Sequence, residues 1–156
     1  MSDVPPITGV AEIVLSVSDL PTMRQFYQDV LGFPVYSEAC IEHDNQPDPD
    51  GEATISFLTI KHVDTPLGPT HPQMLVLIDY RCHASARKRL IGHDVKRSTL
   101  NHLAFEVPPE SYDTHRDRLE SLGLAPSETE FPAMNAKAMF FKDPEGNVLE
   151  FICRAD

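Results

Sequence analysis

A chain of 156 residues, 41% of them hydrophobic, is long enough to bury the core of one domain, and a single domain spanning 1–156 is the expectation. Thirteen basic against twenty-four acidic residues give a formal net charge of −11, which repels a phosphate backbone or an anionic membrane and argues against both as partners. No apolar run approaches the roughly 20 residues of a membrane helix, and the opening Met-Ser-Asp-Val-Pro-Pro has no leader character, so the cytoplasm is the expected compartment.

The first element expected is a strand over Val10 to Val17, rich in β-branched residues. Ser18-Asp19-Leu20-Pro21 then supplies a capping side chain and a proline suited to a first helical turn. From Thr22 to Leu31 the apolar residues Met23, Phe26, Tyr27, Val30 and Leu31 recur at helical steps, and Gly32 ends the helix before a second strand at Phe33. Two Pro-rich loops, Ile41 to Glu52 and Asp64 to Pro72, bracket a strand over Ala53 to Lys61, and a further strand follows over Gln73 to Tyr80.

A basic connector, 82–98, has a helical pattern from His83 to Ile91. Its Arg87, Lys88, Arg89, Lys96 and Arg97 lack interleaved aromatics and read as a solvated helix face. The first order of elements then returns: a strand over Leu100 to Val107, a helix from about Pro109 to Leu122 ended by Gly123, and three strands. The turn formers Asp143-Pro-Glu-Gly-Asn147 separate Ala138 to Lys142 from Val148 to Ile152, which should pair antiparallel. Leu31-Gly-Phe33 and Leu122-Gly-Leu124 lie 91 positions apart, and Glu12 and His102 lie 90 apart, so an internal duplication is inferred. Its halves are module one, about 8–81, and module two, about 99–154. Cys40, Cys82 and Cys153 have no metal-ligand spacing and are expected as free thiols.

Val17-Ser-Asp-Leu20 with Phe26-Tyr-Gln-Asp-Val-Leu-Gly-Phe33, then Leu100-Asn-His-Leu-Ala-Phe-Glu-Val107 and Asp143-Pro-Glu-Gly-Asn-Val-Leu-Glu-Phe151, resemble the vicinal oxygen chelate superfamily of glyoxalases, bleomycin-resistance proteins and extradiol dioxygenases. The resemblance implies an α+β fold of two βαβββ modules whose mixed sheets form a cup around a divalent metal ion, with ligands in the middle of first and fourth strands. Carried over position by position, it makes His102 and Glu150 metal ligands and puts Glu12 where many members have His. Val76 falls at the fourth position, where glyoxalase I has a ligand. The implied ion is Fe, Mn, Ni, Co or Zn. A homodimer enters by resemblance alone, and whether the modules pair within one chain or across two is left open.

Alternation along the strands bears on the same residues, because side chains at i and i+2 share a sheet face. Glu12, Val14 and Ser16 stand opposite the greasier Ala11, Ile13, Leu15 and Val17. His102, Ala104 and Glu106 stand opposite Leu103, Phe105 and Val107, and Val148, Glu150 and Ile152 opposite Leu149, Phe151 and Cys153. A carboxylate on such a face, Glu150 above all, calls for a cation or a hydrogen-bonding partner. The other six histidines, His43, His62, His71, His83, His93 and His115, read as solvent-exposed.

The leading expectation is a metal-dependent lyase or isomerase of glyoxalase type acting on a small oxygenated substrate, with an enolate or alkoxide stabilised by the ion and Glu12 or Glu106 shuttling a proton. An extradiol-type dioxygenase is the second reading. The third is a metal-free protein that sequesters a drug or metabolite in an apolar cup of Val14, Ser16, Met74, Val76, Ile78 and Ile152.

Overall fold

The alternating run Glu-Ile-Val-Leu-Ser-Val forms strand β1 (Glu12–Val17), with Leu15 and Val17 buried and Glu12 and Val14 exposed. Asp19 then caps helix α1 (Leu20–Asp29): its Oδ1 accepts the Thr22 amide at 3.1 Å, with Pro21 in the first turn. This computed structural model describes residues 9–41, 50–62, 64–65, 68–69, 71–83 and 99–155. They belong to two compact units, Met1–Ile91 and Gly92–Asp156.

In the first unit, β1 and α1 are followed by β2 (Val35–Ala39), β3 (Ile55–Lys61), a small hairpin of β4 (Asp64–Thr65) and β5 (Gly68–Pro69), and β6 (Gln73–Asp79). The main sheet has the order β1-β6-β3-β2, with β1 and β6 parallel and the other pairs antiparallel. The second unit runs β7 (Leu103–Glu106), a 3-10 turn (Pro109–Ser111), α2 (Tyr112–Ser121), β8 (Ser127–Phe131), a 3-10 turn (Pro132–Met134), β9 (Ala136–Lys142) and β10 (Val148–Arg154). Its sheet repeats the first in order and sense, β7-β10-β9-β8 with β7 and β10 parallel. Each unit is thus a βαβββ module, as the sequence led one to expect.

Register shows the two sheets pairing in the same arrangement. Val14 faces Val76 across β1 and β6, and Ala104 faces Glu150 across β7 and β10. Val14 and Ala104 are 90 positions apart, the same offset as Glu12 and His102. Val76 therefore occupies in the first sheet the place of Glu150 in the second.

In each module the helix covers the greasier sheet face. Leu20, Met23 and Tyr27 of α1 are buried together with Leu15, Val17, Leu58, Leu75 and Leu77. In the second module Tyr112 and Leu119 of α2 are buried with Met139, Phe141, Leu149, Phe151 and Cys153. Lys137 Nζ lies 4.4 Å over the Tyr112 ring, and the His115 ring is centred 4.7 Å from that of Phe151. Both helices end at a glycine with positive φ, Gly32 at 74° and Gly123 at 75°. At the second, Leu124 N donates to Leu119 O and Gly123 N to Glu120 O, satisfying end carbonyls that the helix itself leaves free.

The strand ends differ from expectation for identifiable reasons. β7 is an edge strand of its sheet and its neighbour β10 starts at Val148, so Leu100 and Asn101 have no ladder to join, and His102, level with Val148, immediately precedes the strand. β6 starts just after Pro72, which has no N–H to donate, and Glu12 is correspondingly the first residue of β1 rather than its middle. The expected single helix from about Pro109 divides into a 3-10 turn and α2, and the loop expected over Asp64 to Pro72 contains the β4–β5 hairpin. Most of the connector and of the Ile41 to Glu52 loop, residues 84–98 and 42–49, lies outside the described residues.

Candidate metal centre

Glu150 is the third residue of β10, a strand hydrogen-bonded on both sides, and only 4% of it is exposed. It stands on the sheet face away from α2, flanked in register by Ala104 of β7 and Phe140 of β9. A charge in that position needs a partner. His102 supplies it from the mouth of β7, with Nε2 at 3.1 Å from Glu150 Oε2.

Two further contacts fix the imidazole. Its Nδ1 lies 2.6 Å from Asn101 Oδ1, and its ring meets the Phe140 ring edge-on, with centroids 5.7 Å apart at 88°. As the Asn101 amide is oriented, both ring nitrogens face oxygens. A neutral imidazole has one N–H and can satisfy only one of these oxygens, whereas a second ring proton, or a cation at Nε2, would satisfy both. A cation at Nε2 would be shared with the carboxylate, and hydrogen bonding at the second ring nitrogen is the usual way a metal-ligating His is oriented. The spacing also fits: two N/O donors about 2.1 Å from one ion at a right angle stand about 3.0 Å apart, close to the 3.1 Å seen here.

The remaining expected residues are distributed as follows. Val14, Ser16, Met74, Val76 and Ile78 share one face of the first sheet, since β1 and β6 pair Glu12 with Met74, Val14 with Val76 and Ser16 with Ile78. Met74, Val76 and Ile55 form a buried apolar cluster there, with Ala39, Ile41, Phe57 and Ile78 packed against it. Glu12 lies at the end of this face, with its Oε1 3.9 Å from His71 Nε2 and both side chains well exposed. In the second sheet Ile152 and Glu106 face each other on the Glu150 side, two positions along from the Glu150 and Ala104 pair, and Glu106 is exposed. Among the described residues no three His, Cys, Asp or Glu side chains gather, so His102 and Glu150 are met as a pair.

Phe140, Lys142 and Asn101 did not stand out in the sequence. The hairpin could have revealed the first two: the turn over Asp143 to Asn147 fixes Lys142 opposite Val148 and therefore Phe140 opposite Glu150. Asp143 holds that turn, accepting from the Glu145 and Asn147 amides at 3.0 and 2.9 Å and from Asn147 Nδ2 at 2.7 Å. His83 corrects another expectation. It is buried, 3.2 Å from Thr54 Oγ1 through Nε2, and burial holds its pKa below the ordinary value although Asp79 opposes the shift. His115 is likewise partly buried against Phe151 rather than solvated, and its pKa is lowered chiefly by burial.

The sequence profile of the Glyoxalase/Bleomycin resistance protein/Dioxygenase superfamily matches residues 9–151, nearly the whole chain. The chain belongs to this superfamily. Several solved structures share the fold. The genomically encoded fosfomycin resistance protein FosX from Listeria monocytogenes superposes with a TM-score of 0.61 at 18% identity, covering 94% of this chain and 93% of that one. A lactoylglutathione lyase from Agrobacterium tumefaciens gives 0.61 at 18% identity, covering 94% of both. A glyoxalase/dioxygenase from Nostoc punctiforme gives 0.62 at 22%, covering 100% of this chain and 99% of that one. No curated protein matches the sequence. Proteins named as differently as a fosfomycin resistance protein and a lactoylglutathione lyase therefore share this fold, and the fold does not choose among their activities. No helix among the described residues is long and apolar enough to cross a membrane.

Proposed function

We propose that this superfamily member is a divalent-metal-dependent enzyme, a lyase or isomerase of glyoxalase type, with His102 and Glu150 as metal ligands. The observation that carries the reading is a buried carboxylate faced by the Nε2 of an imidazole whose other nitrogen is occupied by Asn101. A FosX variant of this fold has been crystallised with Mn(II) and 1S,2S-dihydroxypropylphosphonic acid, which is a precedent for a divalent ion together with a small ligand bearing neighbouring oxygens.

The bound ion would supply Lewis acidity toward two neighbouring oxygens of a small substrate. His102 and Glu150 would hold it, Asn101 keeps the imidazole turned with Nε2 toward Glu150, and Phe140 walls one side of the ring. Glu106, on the same sheet face and open to solvent, is proposed as the group that takes up and returns a proton. Glu12 enters through the repeat, as a further ligand or a base, because it holds in the first module the position of His102 in the second.

Activity is tested by loading chelator-treated protein separately with Mn, Fe(II), Co, Ni and Zn. Each form is assayed for isomerisation of a hemithioacetal and for oxygen consumption with catechols. Metal-dependent isomerisation that disappears in His102→Ala and Glu150→Gln is expected, with a smaller loss in Glu12→Gln and Glu106→Gln. Metal-dependent oxygen uptake would replace the lyase with the dioxygenase reading. One observation favours a metal-free binding protein instead: the apolar face around Ile55, Met74 and Val76 in the first module. Tight binding of an apolar metabolite by chelated protein, with no metal retained under any loading, would select that function.

A further inference from the structure

Beside the candidate centre the second module has a cleft of about 390 Å³, lined by Leu124, Ala125, Ser127, Phe140, Lys142 and Val148 among others. Leu124 and Ala125 come from the segment that leaves α2 at Gly123. Ser127 opens β8, and Phe140, Lys142 and Val148 come from the β9–β10 hairpin.

Two features give the cleft a direction. At one end it has the Phe140 ring, which touches His102 and faces Glu150 in register. At the other it has Lys142, two residues further along β9 on the same face, a step of about 6–7 Å along a strand. The lining is mostly apolar, with Leu124, Ala125 and Val148 contributing, and Ser127 adds a polar residue. Among the described residues Lys142 makes no ion pair, although the chain carries 24 acidic residues against 13 basic ones. An exposed ammonium at the lip of an apolar cleft matches a ligand with a hydrocarbon or aromatic body and one negative group.

We infer that this cleft is the specificity subsite for an anionic amphipathic substrate, whose apolar body lies on Phe140 and Val148 and whose carboxylate or equivalent anion pairs with Lys142. The inference rests on the proposed metal centre for its place in catalysis, but the subsite itself contains none of the proposed ligands. It is therefore testable on metal-free protein, and its failure leaves the metal centre untouched.

The probes are 4-phenylbutyrate and the uncharged 4-phenylbutanol, titrated into the chelator-treated full chain by calorimetry, with amide chemical shifts recorded in parallel. The carboxylate is expected to bind about tenfold more tightly than the alcohol, with shifts centred on Phe140, Lys142 and Val148. Lys142→Met, at an exposed strand end, is expected to fold with an unchanged amide spectrum elsewhere, to abolish that preference and to hold the alcohol within about twofold. Equal affinity for the two probes, a preference that persists in Lys142→Met, or shifts centred away from the hairpin would overturn the inference. Failure of Mn(II) to bind the same preparation would instead count against the metal centre alone.

Discussion

Replacing Glu150 with Met separates a residue kept for chemistry from one kept for stability. The carboxylate is 4% exposed, at the centre of a four-stranded sheet, between Ala104 and Phe140. Burying a charge there costs several kcal/mol of lost hydration, which one imidazole at 3.1 Å only partly offsets. Methionine has similar volume, needs no partner and can pack against Phe140. The variant strands no buried charge, because the His102 side chain keeps 35% of its surface in solvent and retains Asn101. Exchanges of buried ion pairs for apolar residues are neutral or stabilising by about 1–4 kcal/mol. Here only the carboxylate is exchanged and the imidazole stays partly solvated, and we expect a gain of about 1–2 kcal/mol, equivalent to a rise of about 2–8 °C in Tm for a chain of this length. Urea and thermal melts in chelator measure it. Excess Mn(II) should then reverse the order, since the wild type gains about 2.7 kcal/mol at a hundred times its Kd while the variant gains nothing. A loss of more than about 1 kcal/mol by Glu150→Met in chelator would refute the reasoning, because the carboxylate would then be holding the fold together.

The hairpin turn depends on Asp143, so Asp143→Ala should cost about 2–4 kcal/mol through three lost hydrogen bonds to one buried carboxylate, read by urea denaturation. Gly32→Ala and Gly123→Ala should cost about 1–2 kcal/mol each in Tm-derived stability. Their φ values are nearly equal and an added Cβ meets nothing within 4 Å at either, so unequal losses would contradict a purely conformational cost. His83 and His115 both have folded pKa values below the ordinary 6.5, chiefly through burial. The unfolded chain therefore takes up protons first, and stability is full above about pH 6.5 and falls as pH drops below it. Asp19 and Asp79, held below their ordinary 3.8, act only in more acid solution. Melts at about pH 7.5 and about pH 5.5 should show this loss, and His83→Asn with His115→Gln should shrink it; an undiminished loss in the double variant would contradict the assignment.

Local signals carried the fold far. The Asp19 cap, the glycines ending both helices, the Asp143 turn and the period-two alternation of β1, β7 and β10 each act within a few residues, and each appears in the structure as the sequence suggested. The Glu12 and His102 spacing likewise matches the repeated pairing of β1 with β6 and of β7 with β10. What depends on neighbours across the sheet was less legible. That Phe140 stands beside Glu150, and that His102 lies before β7 rather than within it, follow from pairing partners and from where those partners begin. The burial of His83 has the same origin, in packing near Thr54 and Asp79, and nothing in its own segment announces it.

Paramagnetic Mn(II) gives the most direct test of the candidate centre, since it broadens amide resonances in proportion to their nearness to the ion. Titration of chelator-treated protein should saturate at one equivalent, with broadening strongest at His102, Ala104, Phe140 and Glu150 and absent from Glu150→Gln. Broadening centred elsewhere, or unchanged in that variant, would contradict the assignment of His102 and Glu150 as the ligands.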